Sequence, residues 1–228
     1  MKDAILKKLL NDEIAFVEEI SRLCLQPETL KILVDREMNG WLYMPGESGS
    51  ADWSLARAIG EINRAALLID TLPPDELQLL VGETRLKCFE GWQTQGSIHW
   101  FAAPVNEKAA VPACPPGFDA RIRQVRRQCR EFQAFFPEVY LFADRQMVGF
   151  IKTIRETHNC LEVYIEVLPA YRGRGLGRFL LLKMLEESKK ISRRLTYAVA
   201  NDNHASLALA KRAGLQKFNE LFRITRKS

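Results

Sequence analysis

The 228-residue sequence predicts an α/β protein (α+β in its mixed sheet), with helices on both sheet faces and a helical N-terminal region in front. Three observations carry this reading. From residue 83 onward, segments of period-2 alternation, the pattern of strands, take turns with segments of helical spacing. In the middle of that stretch Leu161, Val163, Ile165 and Val167 alternate with Glu162, Tyr164 and Glu166, and a glycine-rich turn and an apolar helix follow at once. Before residue 83 the apolar residues recur instead at the spacing of amphipathic helices. The chain therefore divides into a helical region, 1–82, of unassigned role, and a mixed-sheet domain, 83–228.

Composition narrows the class. Hydrophobic content of 47% and charged content of 27% are those of an ordinary globular chain. There is no run of about 18 apolar residues, so no membrane-spanning helix is expected. The start carries acids at Asp12, Glu13, Glu18 and Glu19, unlike a secretory signal. Five cysteines, Cys24, Cys88, Cys114, Cys129 and Cys160, are scattered and odd in number, which indicates neither a disulfide framework nor a zinc site. A cytoplasmic protein without a metal is the expectation. The net charge of +5 is mild. The basic run from Arg121 to Arg130 reads as a solvated helix face, because no nucleic-acid-binding signature accompanies it.

In chain order, Ile5, Leu9, Leu10 and Ile14, then Phe16, Val17 and Ile20, predict helix, and a second helix is expected over 28–37. Gly40, Pro45, Gly46 and Gly49 predict a loop over 39–50 in which Trp41 and Tyr43 anchor the chain on the core. A long helix is expected from Asp52 to Ile69, with Asp52 as its N-cap, and a short one over 75–80. Residues 84–92 and 97–103 read as a hairpin around Gln93 to Gly96. Pro104 to Gly117 reads as loop. Ile122, Val125, Cys129 and Phe132 place a helix over 118–136, stopped by Pro137. Strands follow at 138–144, 147–155 and 160–167, then a helix at 175–190, a strand at 194–200, a helix at 203–213 and a strand at 216–226.

The turn after Val167 carries the chemistry. Gly173, Gly175 and Gly177 alternate with Arg172, Arg174 and Arg178 between a strand and a helix. Glycine lets backbone approach a ligand and adopt positive φ. Unpaired N–H groups and the dipole at a helix start favour phosphate, and arginines add charge-assisted bonds to it. A phosphate-bearing ligand is expected. The pattern lacks the Gly-Lys-Ser/Thr of a P-loop and the spacing of a dinucleotide fingerprint.

The order Arg172-x-x-Gly175-x-Gly177, behind a strand with Ile165-Glu166-Val167, resembles the acyl-CoA-binding motif of the GNAT N-acetyltransferase superfamily. Asn203 and Ser206, leading through a short helix to Gly214-Leu215, look like that family's second signature. The resemblance implies that 83–228 is an acyl-CoA-binding catalytic domain and an enzyme, moving an acetyl group from acetyl-CoA to a primary amine of a small molecule or protein. It further implies that Ile165, Glu166 and Val167 hold the pantetheine arm, that backbone N–H groups of Gly173, Arg174, Gly175, Leu176, Gly177 and Arg178 take the pyrophosphate beside Arg172, and that Asn203 and Ser206 contact the cofactor arm.

Direct attack by an amine needs a base, proximity to the thioester and a proton for the leaving thiolate. Glu162 and Glu166, with Tyr164 between them, are the candidate catalytic residues; His158 and His204 are weaker. The chain departs from the family at two places: Ala210 stands where many members carry a tyrosine acid, and Ala198 where many carry a carboxylate. Tyr197 is one substitute for the acid. The departures leave a second reading open, a CoA-sensing regulatory module without catalysis. Residues 1–82 are open to three roles: packing on the catalytic module, shaping the acceptor pocket, or forming a homodimer.

Overall fold

The computed structural model describes residues 31–34, 40–44, 54–59, 77–82, 92–104, 111–128 and 133–226, with single positions such as Leu9 and Phe89 before residue 92. Its strands are β1 (Lys31–Val34), β2 (Gly40–Met44), β3 (Ser54–Ile59), β4 (Leu77–Gly82), β5 (Trp92–Ala102), β6 (Asp119–Gln128), β7 (Gln133–Ala143), β8 (Gln146–Glu156), β9 (Cys160–Val167), β10 (Arg194–Ala200) and β11 (Gln216–Arg226). Two helices are described, α1 (Leu176–Lys190) and α2 (His204–Arg212). All the described strands lie in one sheet, ordered β1-β2-β3-β4-β11-β5-β10-β9-β8-β7-β6.

From β7 onward the elements fall where the alternation and turn chemistry put them. The β7–β8 turn is made by Asp144 and Arg145 at φ 47° and 67°, the double positive φ that matches hairpin twist. The segment 118–136 is different. It forms the hairpin of β6 and β7 rather than a helix. Ile122 and Val125 are three apart, the spacing of a helical stripe, and as a strand they fall on opposite faces; pairing with β7 along the whole length overrides that spacing. Pro137 lies within β7, just before pairing with β8 begins at Glu138↔Lys152, where its missing N–H costs no bond to that neighbour.

The N-terminal segments that are described are extended where the apolar spacing predicts helices or loop. β1 replaces part of the helix over 28–37, β2 part of the loop over 39–50, β3 part of the helix over 52–69, and β4 that over 75–80. Apolar runs this short have no periodicity of their own that separates strand from helix; pairing with neighbouring strands decides. Trp41 is fully buried, edge-on to Phe89 at 6.0 Å, an anchor as expected but on a strand. Leu6, Lys7 and Leu9 are helical; the rest of the helices expected over 1–26 and 60–69 lies outside the described residues. The hairpin expected over 84–103 is instead one long strand, β5, from residue 92, with a register irregularity opposite Gly96; most of 84–91 lies outside the described residues.

The strand order has a two-fold pattern. β1, β2 and β3 form an antiparallel meander to which β4 adds in parallel. β7, β8 and β9 do the same, with β10 added in parallel. Each half then receives the other's last strand: β11 lies beside β4 and β5 beside β10, and β5 and β11 pair with each other in the middle. The chain beyond Gly214 thus needs only one strand, because β5 fills the place next to β10.

The core lies between α1 and strands β7 to β10. Leu176, Leu180, Leu181 and Met184 of α1 are buried against Val139, Leu141, Ile151 and Val163. Gly149 on β8 is what allows this closeness: a Cβ there would stand 3.0 Å from the Glu166 carbonyl oxygen, 3.3 Å from Val167 and 3.4 Å from Leu180. Gly149→Val should therefore lower the unfolding free energy by about 1–3 kcal/mol, read as a fall in the denaturant midpoint.

Candidate functional site

The site begins where two parallel strands part. β9 and β10 pair at Arg194↔Cys160, Leu195↔Leu161 and Thr196↔Glu162 and no further. Beyond that point β9 runs on to Val167 held only by β8, and β10 to Ala200 held only by β5. At the fork the Thr196 hydroxyl donates to the Leu161 carbonyl at 3.0 Å. The gap opens into a cleft of about 840 Å³, which Ile165, Glu166, Val167, Arg172, Gly173, Gly175, Leu176, Gly177, Arg178, Asn203 and Ser206 all line. The fold thus gathers nearly all the sequence-derived binding residues around one space; Arg174 is in the turn but does not line it.

The turn is built as its glycines require. A short 3-10 turn, Pro169–Tyr171, ends β9. Gly173 and Gly175 both sit at φ 77°, and Gly175 is the N-cap of α1, with no side-chain cap and no acidic residue in the first turn. The first N–H groups of the helix are thus left without a capping side chain. The arginines brace the turn, each using one donor of the five it has. Arg172 Nε donates to the Val167 carbonyl at 3.0 Å, and Arg178 Nε to that of Arg212, in the last turn of α2, at 3.1 Å. Arg174 reaches the Ala170 carbonyl at 3.5 Å and lies over the Tyr171 ring at 5.3 Å. Asn203 is the N-cap of α2, its side chain accepting from the Ser206 N–H at 3.1 Å.

The candidate catalytic residues share the sheet face away from the helices. Glu162 is buried at the fork and paired with Arg155, Nη1 to Oε1 at 2.8 Å. A register irregularity between Thr153 and Arg155 sets Arg155 opposite Glu162. No sequence pattern announces that contact. Tyr164 donates to Glu166 at 3.2 Å; partial burial, then the Glu166 charge, raises its pKa above the ordinary tyrosine value. Tyr197, on the helix side of β10, is buried and lines the cleft. Burial raises its pKa, with a hydrogen bond to Ser206 offsetting part of the effect. Ala198 faces the cleft, whereas Ala210 is sealed in the core. His158 and His204 are exposed and do not line the cleft. No group of metal-ligating side chains occurs among the described residues, and none of the described helices is long and apolar enough to cross a membrane.

The profile of the acetyltransferase (GNAT) family matches residues 92–215. No curated protein matches. Among solved structures, a GCN5-related N-acetyltransferase from Kribbella flavida is similar over 100% of this chain and 96% of its own, at 12% identity and TM-score 0.64. A tandem GNAT protein from the clavulanic acid biosynthesis pathway is similar over 98% and 93%, at 14% identity and TM-score 0.61. A GCN5-related N-acetyltransferase-like protein from Streptococcus suis is similar over 98% and 99%, at 12% identity and TM-score 0.60. These likenesses are of fold.

Arg155→Met would leave the Glu162 carboxylate buried without its cation. It should cost about 3 kcal/mol of unfolding free energy, measured by denaturant titration, with the double variant Arg155→Met/Glu162→Gln recovering part of the loss.

Proposed function

This chain belongs to the GNAT acetyltransferase family, and from that membership we propose that it transfers an acetyl group from acetyl-CoA to a primary amine by direct attack on the thioester. The observation that carries the reading is the fork between β9 and β10 beside an uncapped, glycine-led helix start. In this reading the edge of β9 at Ile165, Glu166 and Val167 offers its backbone to the pantetheine arm. A backbone N–H there also polarises the thioester carbonyl. The N–H groups from Gly173 to Gly177 and the α1 dipole take the pyrophosphate, and Arg172 and Arg178 hold the turn in shape around it. Asn203 and Ser206 border the arm.

Proton transfer divides between the two sheet faces. Glu162 is engaged by Arg155, so it orients the fork, and Glu166, with Tyr164 as its hydrogen-bond partner, accepts the ammonium proton, directly or through water. The neutral amine attacks the thioester carbon, the nitrogen of the tetrahedral intermediate loses its second proton to solvent water, and the intermediate collapses with breaking of the C–S bond. Tyr197 then gives its proton to the thiolate, in place of the tyrosine that Ala210 lacks. Its raised pKa means that it still holds that proton throughout the neutral range.

Acetyl-CoA binds only the folded state in this scheme, so saturating ligand should raise Tm by several degrees through linkage. Gly175→Val, forced to φ 77°, should lose that shift. No shift in the wild-type protein with acetyl-CoA, free CoA or longer acyl-CoAs would sink the reading. Where amine-dependent thiol release is measured, Tyr197→Phe should lower kcat about a hundredfold with acetyl-CoA affinity unchanged. Glu166→Gln should act likewise.

A further inference from the structure

The half of the cleft away from the helices holds a second guanidinium besides that of Arg155. Arg223 of β11 lines the cleft, its Nε is buried, and that nitrogen has no hydrogen-bond partner among the described residues. No ion pair joins Arg223 to any described carboxylate. Arginine remains charged at all relevant pH values, and a buried donor left unmade costs free energy that a fold normally avoids. A ligand anion would satisfy it.

Strand register fixes where this cation stands. Residues directly opposite across a ladder share a face. Glu162 is opposite Thr196, Ala200 opposite Ile98, Leu221 opposite Ile98, and Arg223 opposite Gly96. Arg223 is therefore on the same face as Glu162, Tyr164 and Glu166, and opposite to the face on which α1 and its glycine turn lie. Gly96 keeps its path clear: at φ 149°, a Cβ there would lie 3.2 Å from Asn201 Oδ1 and 3.6 Å from Arg223 Nη2. The guanidinium thus passes over β5 at its one position without a side chain and reaches the end of β10. One wall of this half-cleft carries carboxylates beside the fork, and the far wall carries a lone cation, with apolar Ile98 and small Ala198 and Ala200 between them.

Resting on the acyltransferase reading, we infer that the acceptor is an amine that also carries an anionic group, carboxylate or phosphate, and that Arg223 binds this anion. The ammonium is directed to Glu166 on the free run of β9 while the anion is held on Arg223, so the two charges of one molecule meet the two walls of the cleft. A neutral or purely cationic amine would leave Arg223 unsatisfied, which makes Arg223 a specificity residue and not a catalytic one.

The test is calorimetric titration of the wild-type protein and of Arg223→Ala and Arg223→Lys, each with and without saturating CoA. The probes are γ-aminobutyrate, ε-aminocaproate and phosphoethanolamine, with the methyl esters of the two amino acids, which keep the ammonium and lack the anion, as controls. The expected result is that at least one anionic amine binds the wild type at least about tenfold more tightly than an ester control. Arg223→Ala should abolish that preference, Arg223→Lys should keep part of it, and CoA affinity should stay the same in all three. Preference for the amino acids marks a carboxylate site, and preference for phosphoethanolamine a phosphate site. Binding of all three anionic amines no tighter than the esters by the wild type would overturn the inference, as would a fall in CoA affinity in Arg223→Ala, which would assign the guanidinium to a cofactor phosphate. Failure of wild-type protein to bind CoA at all would instead overturn the acyltransferase reading, while the contrast between acid and ester still reports on Arg223.

Discussion

Everything at the site depends on the parting of β9 from β10 after Glu162 and Thr196. A sheet does not leave a strand edge unpaired without cost, since buried backbone groups need partners. Here the separation is tolerated because each arm is held on its outer side, β9 by β8 as far as Val167 and β10 by β5 as far as Ala200. The Thr196 hydroxyl and the Arg155–Glu162 pair close the fork at its root. The open edges then face a cleft in which an extended ligand can supply the missing strand contacts.

The strand that holds β10 comes from the other half of the chain. β5 and β11 are exchanged between the two meanders, so the far wall of the cleft is made of segments separated from the glycine turn by long stretches of sequence. This explains the economy of the C-terminal tail after Gly214. It also places Gly96 and Arg223 near Asn201, just beyond β10, with which they share no local pattern. The two halves of the cleft have different chemistry as a result: uncapped helix N–H groups and braced arginines lie on the α1 side, and the Glu162 and Glu166 carboxylates, Tyr164 and Arg223 on the other.

Legibility in the sequence followed the range of the forces involved. Strands β9 and β10 match their expected spans residue for residue, because Leu161 to Val167 alternate cleanly and Pro169 ends the run. The positive φ of Gly173 and Gly175 was equally readable, since a turn between strand and helix with alternate glycines has little other use for them. The segment from Arg121 to Gln128 misled, because Ile122 and Val125 stand at helical spacing and only the antiparallel pairing with β7 makes the run a strand. Lys31–Val34 and Leu77–Gly82 were too short to declare a period. At Asn203 the resemblance implies contact with the cofactor arm, and the hydrogen bond from the Ser206 N–H adds the role of α2 cap, which only the structure shows.

By itself the sequence determined the order of elements from β7 onward, the anion-seeking turn and the family that turn resembles. These rest on local properties: side-chain alternation, the φ range open to glycine, proline's missing donor. Only the tertiary structure decided that the N-terminal segments extend the same sheet, that Arg155 takes Glu162 out of solvent, that Ala210 is sealed in the core while Tyr197 borders the cleft, and that Arg223 crosses Gly96 without a partner. Each of these depends on register and on which strand lies beside which, and such pairings join residues too far apart in the chain for any local pattern to record them.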